Sequence, residues 1–255
     1  MSRATAGIIQ ARMGSTRLPG KVLLPLGGRF ELEHVVERVR TASEIDTVVV
    51  ATSTNKADDI IDWLGDQLSV SVFRGDEEDV LGRMYRAAEG AGADDIVRIT
   101  ADCPLIDPST VDEVVRKRRE SGADYAANII DRSFPRGLDV EAFTADSFET
   151  IHRTVDDPFH REHVTPYYRE NDDEFALVNV RSEEVFDDTR LQNRTDLRLT
   201  LDEAADYSLL RTVFENVAYE STPPIARAVE YIDAEGLSSV NQSVVQVTEG
   251  DASGH

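Results

Sequence analysis

In the first half of the chain, short runs rich in valine and isoleucine alternate with longer stretches in which apolar residues recur at helical spacing. This alternation is typical of parallel strands joined by crossover helices, because two parallel neighbours need a long return connection. We expect strands at residues 6–10, 47–51, 70–73 and 95–100, and helices near residues 31–41, 57–68, 79–90 and 109–121. The pattern therefore predicts an α/β fold with a mostly parallel central sheet.

Beyond residue 122 the alternation is less regular, although both kinds of element are still indicated. Strands are expected at residues 125–128, 138–143, 175–180 and 197–201. Helical periodicity returns near residues 145–154, 162–169, 203–215 and 224–235. The length of 255 residues suits one sizeable domain with a well-buried core.

The net charge of the chain limits the kinds of molecule that it is expected to bind. The chain has 49 Asp and Glu against 27 Lys and Arg, which gives a formal net charge of −22 at pH 7. Because such a surface repels nucleic acid and anionic membranes, neither is expected as a partner. Arginine supplies nearly all of the positive charge, which we interpret as adaptation to high salt, with an ordinary acidic protein as the alternative.

Three further features point to the cytoplasm. No apolar run approaches the roughly 20 residues that a membrane-spanning helix needs. No apolar segment followed by a cleavage site is recognisable at the N-terminus. The single cysteine, Cys103, cannot form an internal disulfide, which suits a reducing compartment.

The first expected strand runs into a loop that concentrates positive charge. Residues 1–30 contain no Asp or Glu, whereas the segment 7–21 (GIIQARMGSTRLPGK) carries three cations between and beside its glycines. Backbone N–H groups of a glycine-rich turn can point at phosphate oxygens while Arg12, Arg17 and Lys21 neutralise their charge. The segment therefore indicates a site for a triphosphate.

The same loop differs from the phosphate loop of kinases and ATPases. Five residues, not four, separate Gly14 from the Gly20-Lys21 pair, and Val22 stands where Ser or Thr would hold Mg²⁺. Kinase and ATPase functions are therefore disfavoured. A purely structural interpretation, in which the two glycines only make turns, stays open.

Two later strands each lead into an aspartate. Asp102 follows the strand in residues 98–107 (RITADCPLID), and Asp202 follows the apolar alternation in residues 197–206 (LRLTLDEAAD). Ligands of open α/β sheets collect at the carboxyl ends of strands, and Mg²⁺ takes one or two carboxylates plus phosphate oxygens and water. We therefore expect both aspartates at one Mg²⁺ site. The alternatives are local ones, a turn cap for Asp102 and a helix N-cap for Asp202.

Two further candidates favour structural interpretations. His160 and His163 are spaced for one helical face, but a zinc site there lacks recognisable further ligands. Substrate contact or packing is preferred for this pair. Cys103 has no neighbouring base in sequence to activate it and is expected to be a small packed residue.

Taken together, these segments resemble the cytidylyltransferases related to CMP-KDO and CMP-sialic acid synthetases, and most closely the spore-coat polysaccharide biosynthesis protein F (SpsF) group. The resemblance runs from residue 6 to about residue 210 in one order. Its pieces are residues 9–21, 49–54 (VVATST), 72–76 (VFRGD), 98–107, 137–141 (GLDVE), 161–167 (REHVTPY) and 199–202 (LTLD). It implies a Rossmann-like, GT-A-like nucleotidyltransferase fold of three layers, a need for Mg²⁺, and a homodimer.

The resemblance also implies roles for residues that match the family's motifs. Together with the loop argument, it predicts nucleotide binding by Ala11, Arg12, Gly14, Ser15, Arg17, Lys21, Arg74 and Asp76. The expected metal ligands are Asp102 and Asp202, and the expected catalytic residues are Arg12, Lys21 and Asp102. Positions expected to face the acceptor are Asp139, Glu141 and His163.

We therefore expect a nucleotidyltransferase that moves CMP from CTP to a sugar or sugar acid and releases pyrophosphate, for polysaccharide or surface-glycan biosynthesis. One domain is expected over residues 1–239, with acceptor-binding and dimer-forming elements at about 123–195, and a flexible tail over 240–255. The alternatives are a GT-A-type glycosyltransferase that uses a nucleotide sugar and a catalytically silent nucleotide-binding partner in a glycan-synthesis assembly.

Overall fold

The computed structural model describes residues 3–244 and contains nine strands and ten α-helices within that range. The strands are β1 (Thr5–Gln10), β2 (Pro25–Leu26), β3 (Arg29–Phe30), β4 (Thr47–Ser53), β5 (Ser71–Gly75), β6 (Asp95–Thr100), β7 (Tyr125–Ala127), β8 (Glu141–Thr144) and β9 (Leu177–Asn179). The helices are α1 (Glu31–Thr41), α2 (Asp59–Leu68), α3 (Val80–Ala91), α4 (Pro108–Ser121), α5 (Ala145–Thr154), α6 (Pro158–His163), α7 (Pro166–Glu170), α8 (Ser182–Val185), α9 (Ala204–Asn216) and α10 (Ile225–Ala234).

Seven of the strands form one sheet in the order β5-β4-β1-β6-β8-β7-β9. The strands β5, β4, β1 and β6 are parallel, β8 is antiparallel to both of its neighbours, and β7 is parallel to β9. The predicted α/β fold with a mostly parallel sheet is confirmed. Because the chain continues from β1 to β4 on one side and reaches β6 on the other, a crevice opens at the carboxyl ends of β1 and β6.

Alternating residues of the central strands fill two separate cores. Ile9 and Val97 belong to the core beneath α1 and α4, whereas Ile8 and Ile96 belong to the core beneath α3 and α5. Successive side chains of a strand point to opposite faces, so a strand covered on both sides must be apolar throughout. This explains the continuous valine and isoleucine runs, and it gives three layers, helix, sheet and helix.

The helix predicted over residues 162–169 is wrong. The chain forms two short helices there, α6 and α7, and breaks between them at Val164, which is fully buried with a φ of 70°. A β-branched residue rarely adopts a positive φ, so packing holds this turn in place. Pro166 is the first residue of α7, a position where the N–H that proline lacks would have no partner within the helix, so it marks the start of a separate helix.

The strand predicted over residues 197–201 is also wrong. Only an isolated bridge forms there, in which Arg136 N–H donates to the Leu197 carbonyl at 3.1 Å and Leu199 N–H donates to the Arg136 carbonyl at 2.7 Å. Gly137 makes this crossing possible, since its φ is 97° and a Cβ would lie 2.5 Å from the Leu199 carbonyl carbon. The strand predicted over residues 138–143 is shorter in the structure, where β8 covers only Glu141–Thr144.

The end of the described chain is bound to the domain. Asn241 is buried, and its side-chain amide donates to the Arg198 carbonyl at 2.9 Å and to Asp206 at 2.8 Å. The rest of the expected tail, residues 245–255, lies outside the described residues. Across residues 3–244, each helix is too short or too polar to cross a bilayer.

Candidate active site

The loop after β1 is fixed at its start by a buried aspartate. Asp58, which follows β4, accepts a hydrogen bond from the Met13 N–H at 2.7 Å and another from the Ser53 N–H at 3.2 Å. The Gly20 N–H closes the loop onto the Met13 carbonyl at 3.0 Å, and Gly20 has a φ of 71°. One carboxylate thus joins the loop to the neighbouring strand. Asp58 is not among the predicted site residues, because its contact with the loop forms only when β4 lies beside β1.

Lys21 joins the two predicted metal aspartates. Its Nζ lies 2.6 Å from Oδ2 of Asp102 and 2.7 Å from Oδ1 of Asp202, and the three side chains are 12–20% exposed. Burial opposes the charge on Lys21, but the two carboxylates outweigh it and raise the pKa of the ammonium above its usual value. Burial likewise opposes the charge on Asp102, but Lys21 lowers the pKa of that carboxyl to about 2.

Asp202 is held by cations on both of its oxygens. Oδ1 also lies 3.2 Å from the Arg17 guanidinium, and Oδ2 accepts from Arg198 at 2.8 Å. The N-cap of α9 is Glu203, and the Asp206 side chain accepts from the Asp202 and Glu203 N–H groups just before the helix, at 3.0 Å each. Asp202 is therefore not the N-cap of α9, and its carboxylate faces the loop.

Backbone contacts place the two aspartates side by side despite their separation in sequence. The carbonyl of Asp102 accepts from the Leu201 N–H at 2.8 Å and from the Thr200 hydroxyl at 3.2 Å. These bonds anchor the segment before Asp202 directly beneath the end of β6. The carboxylate positions are thus set by backbone as well as by Lys21.

The aspartates and the loop line one cleft of about 250 Å³. Its lining residues are Gln10, Arg12, Ser15, Thr16, Arg17, Lys21, Val22, Thr100, Ala101, Asp102 and Asp202. Six residues with predicted phosphate or metal roles therefore lie on one cleft, namely Arg12, Ser15, Arg17, Lys21, Asp102 and Asp202. Within residues 3–244, no group of three or more His, Cys, Asp or Glu side chains could hold a metal ion alone.

The two aspartates fit a metal that arrives with a nucleotide. Mg²⁺ commonly takes only one or two protein carboxylates and completes its shell with phosphate oxygens and water. Asp102 and Asp202 supply that number, and the cations of the loop lie on the same cleft. The donor set therefore suits a metal–nucleotide complex better than a metal bound by protein alone.

Other predicted nucleotide-binding residues have partners within the protein. Arg74 donates to the Ser53 carbonyl at 3.0 Å and to the Asn55 carbonyl at 2.9 Å, and it pairs with Asp59 at 2.7 Å. Asp76 accepts from two backbone N–H groups of the turn before α3, and the Ala11 N–H donates to the Ala51 carbonyl. None of the three lines the cleft of about 250 Å³, and their contact with nucleotide stays a prediction.

Arg12 lines the cleft, and Gly14 lies two residues further along the same loop. The Arg12 side chain is 39% exposed and lies 4.0 Å from Glu162, so it is free to turn toward an anion in the cleft. At Gly14 a Cβ would lie 3.0 Å from the Glu77 carboxylate, which leaves little room for a side chain.

The residues predicted to face the acceptor do not form one cluster of free side chains. Asp139 makes two hydrogen bonds with Arg132, at 2.6 and 2.8 Å, and the His163 ring packs on Phe159 with centroids 4.6 Å apart. Glu141 lies inside the sheet, 3% exposed. Their role toward an acceptor stays a prediction.

Comparison with known proteins settles the family. A model of a family described as cytidylyltransferase matches residues 6–232. The chain belongs to the cytidylyltransferase family. The spore coat polysaccharide biosynthesis protein SpsF of Bacillus subtilis (strain 168) is 35% identical to it over 82% of this chain and 85% of that protein. A 3-deoxy-manno-octulosonate cytidylyltransferase of Trichlorobacter lovleyi is 37% identical over 42% of each chain.

A solved cytidylyltransferase from Leptospira borgpetersenii shares the architecture. It superposes with a TM-score of 0.86 at 32% identity, and the match covers 96% of this chain and all of that one. The predicted resemblance to the SpsF and CMP-KDO synthetase relatives is confirmed, as is the Rossmann-like nucleotidyltransferase fold. Membership of this cytidylyltransferase family favours nucleotidyl transfer over the alternatives of glycosyl transfer and silent binding.

Cys103 fits its expected role as a packed residue. It is buried, and burial together with the neighbouring Asp102 raises the pKa of its thiol well above the usual value. A thiol held protonated is a poor nucleophile.

Proposed function

We propose that this protein transfers CMP from CTP to a sugar or sugar acid and releases pyrophosphate, in polysaccharide or surface-glycan biosynthesis. The observation that carries the proposal is the meeting of Lys21, Asp102 and Asp202 in one cleft beside the loop after β1. Family membership supports the choice of CTP. The names of the relatives, one a sugar-acid cytidylyltransferase and one a polysaccharide biosynthesis protein, support the class of acceptor.

In the proposed reaction a hydroxyl of the acceptor attacks the α-phosphorus of CTP in line with the departing pyrophosphate. Transfer of this kind requires mainly alignment and charge neutralisation from the protein. Arg12, Arg17 and Lys21 would neutralise the charge that grows on the pyrophosphate, since they lie on the loop that borders the cleft. No side chain is required as a dedicated base.

The two aspartates would hold the metal, proposed to be Mg²⁺. When bound, the metal would neutralise phosphate charge and lower the pKa of a coordinated hydroxyl. Asp102 is suited to this role because its carboxyl stays ionised far below neutral pH. Lys21 would give up one or both carboxylates to the incoming complex and remain beside the phosphates.

We further propose a cellular compartment, a domain organisation and an oligomeric state for the enzyme. We place it in the cytoplasm as one domain over residues 1–239 and as a homodimer, with the region of residues 123–195 carrying acceptor and subunit contacts. The low lysine and high acidic content support a protein adapted to high salt. Light scattering of the purified protein at low and high KCl would test the dimer.

The direct test is pyrophosphate release. The protein is incubated at high KCl with MgCl₂, with each of CTP, UTP, GTP, ATP and dTTP, and with a panel of sugar acids that includes 3-deoxy-manno-octulosonate. We expect release with CTP, and a loss of about 10²-fold or more for Lys21→Ala and for Asp102→Asn, which each remove one electrostatic stabiliser. Wild-type rates in both variants would refute the site. Turnover of a ready-made nucleotide sugar without pyrophosphate would identify a glycosyltransferase instead.

A further inference from the structure

Gln10 lines the cleft, but the reaction proposed above gives it no role. It is the last residue of β1, is partly buried, and borders the same cavity as Arg12 and Lys21. In the sheet it stands in register with Thr100 of β6, two residues before Asp102. Its side chain is therefore at the junction between the phosphate-binding loop and the aspartate end of the cleft.

Arg98 determines which end of the Gln10 amide faces the cleft. Its Nη2 donates to Oε1 of Gln10 at 3.3 Å. A guanidinium has only donors, so it must face the oxygen of the amide and never the NH₂ group. The partner thus fixes the orientation, which side-chain amides otherwise leave ambiguous. Within residues 3–244, Nε2 of Gln10 has no hydrogen-bond partner.

Arg98 is in turn held from the antiparallel strand β8. Glu141 accepts hydrogen bonds from Arg98 and from the Tyr125 hydroxyl, the latter at 2.6 Å. Burial opposes the charge on Glu141, but Arg98 lowers the pKa of this carboxyl, so the pair stays ionised near neutral pH. Breaking such a buried pair is strongly destabilising, which makes it a rigid support for the Gln10 amide.

We propose that Gln10 is a further catalytic residue, whose Nε2 donates a hydrogen bond to a non-bridging oxygen of the α-phosphate of CTP. This inference rests on the proposed function. Arg17 lies beside Asp202 and would serve the departing phosphates, and Lys21 lies between the two aspartates. Gln10 lies at the β1–β6 junction, in register with Thr100 and close to the Asp102 end of the cleft. A neutral donor fixed in advance is suited to the reacting phosphate, because it costs no reorganisation when charge grows there.

The step balances with the groups named. The acceptor hydroxyl oxygen bonds to the α-phosphorus while the bond from that phosphorus to the bridging oxygen breaks. Pyrophosphate leaves with the electron pair of the broken bond, and the hydroxyl proton passes to solvent. Gln10 neither gains nor loses a proton, so its contribution is independent of pH.

The test is a calorimetric titration of the whole chain in the presence of MgCl₂. Two ligands are compared: CMP carries the α-phosphate, and pyrophosphate does not. We expect Gln10→Met to bind CMP about tenfold to a hundredfold more weakly, the effect of losing a hydrogen bond to a charged group. Pyrophosphate binding should be unchanged. Gln67→Met, on the exposed face of α2, is the matched control and should bind both ligands as the wild type does.

A second variant separates folding from contact. Gln10→Glu keeps an acceptor toward Arg98, so its melting temperature should equal or exceed that of the wild type, while its second oxygen repels the phosphate and weakens CMP binding further than Gln10→Met does. A folded Gln10→Met that binds CMP as tightly as wild type overturns this inference alone. A wild-type protein that binds neither CTP nor CMP removes the proposed function as well.

Discussion

Lys21→Met removes the ammonium that joins Asp102 to Asp202 and keeps most of the apolar stem. The two carboxylates then face each other in a cleft where they are only 20% and 12% exposed. Breaking a buried ion pair costs about 3–5 kcal/mol, and because some solvent reaches these groups we expect about 3 kcal/mol. The free energy of unfolding should fall by that amount in denaturant titrations.

The same loss appears in thermal melts. For a chain of this length, 1 kcal/mol changes the melting temperature by about 2–4 °C, so Lys21→Met should melt about 6–12 °C below the wild type. Lys56→Met is the matched control, because Lys56 is exposed in the turn before α2 and the net charge changes by the same amount. Lys56→Met should have the same melting temperature as the wild type.

Magnesium ions distinguish this explanation from a simple packing defect. In the variant no ammonium competes for the two carboxylates, so MgCl₂ should raise the melting temperature of Lys21→Met more than that of the wild type. KCl at equal ionic strength corrects for general screening. If Lys21→Met melts with the wild type, or if MgCl₂ shifts both proteins equally, the two aspartates are not held together as described.

Two further outcomes are expected. Asp58→Asn leaves one acceptor for the N–H groups of Met13 and Ser53, so CTP should bind more weakly in calorimetric titrations, and unfolding should be easier by about 1.5–3 kcal/mol; unchanged CTP affinity would show that the loop does not depend on this anchor. Because Arg98 lowers the pKa of the buried Glu141, the pair stabilises the fold above the usual glutamate pKa of about 4.3 and loses this effect as pH falls. Wild-type unfolding free energy should therefore decline more steeply with acid than that of Glu141→Gln, and parallel curves would contradict the assignment.

The parallel half of the sheet was predictable because its strands are apolar on both faces. Strands β1, β4 and β6 lie where their valine and isoleucine runs indicated. The cleft followed from the same pattern, since Asp102 comes directly after a strand and such ends meet at one edge of the sheet. Local sequence therefore carried most of the information about the first half and about the position of the site.

The rest depends on contacts between distant segments. The turn at Val164 is set by burial, although Pro166 was a local indication of it that the helical periodicity obscured. Glu141 was expected to face the acceptor, but its partner Arg98 is 43 residues away, and a single sequence does not show such pairing. Asp58 and Gln10 were missed for the same reason, because their roles appear only when the partner strand is in place.

The crossing of residues 136–137 with residues 197–199 means that the chain returns to the point it left about sixty residues earlier. Residues 138–196 therefore form a segment whose two ends are joined by hydrogen bonds beside Asp202. Insertions or deletions in the surface loops of this segment change its length without moving its ends, and the entropy cost of closing a loop depends only weakly on its length. Loop lengths within this segment can therefore change while Asp202 keeps its position beside the end of β6.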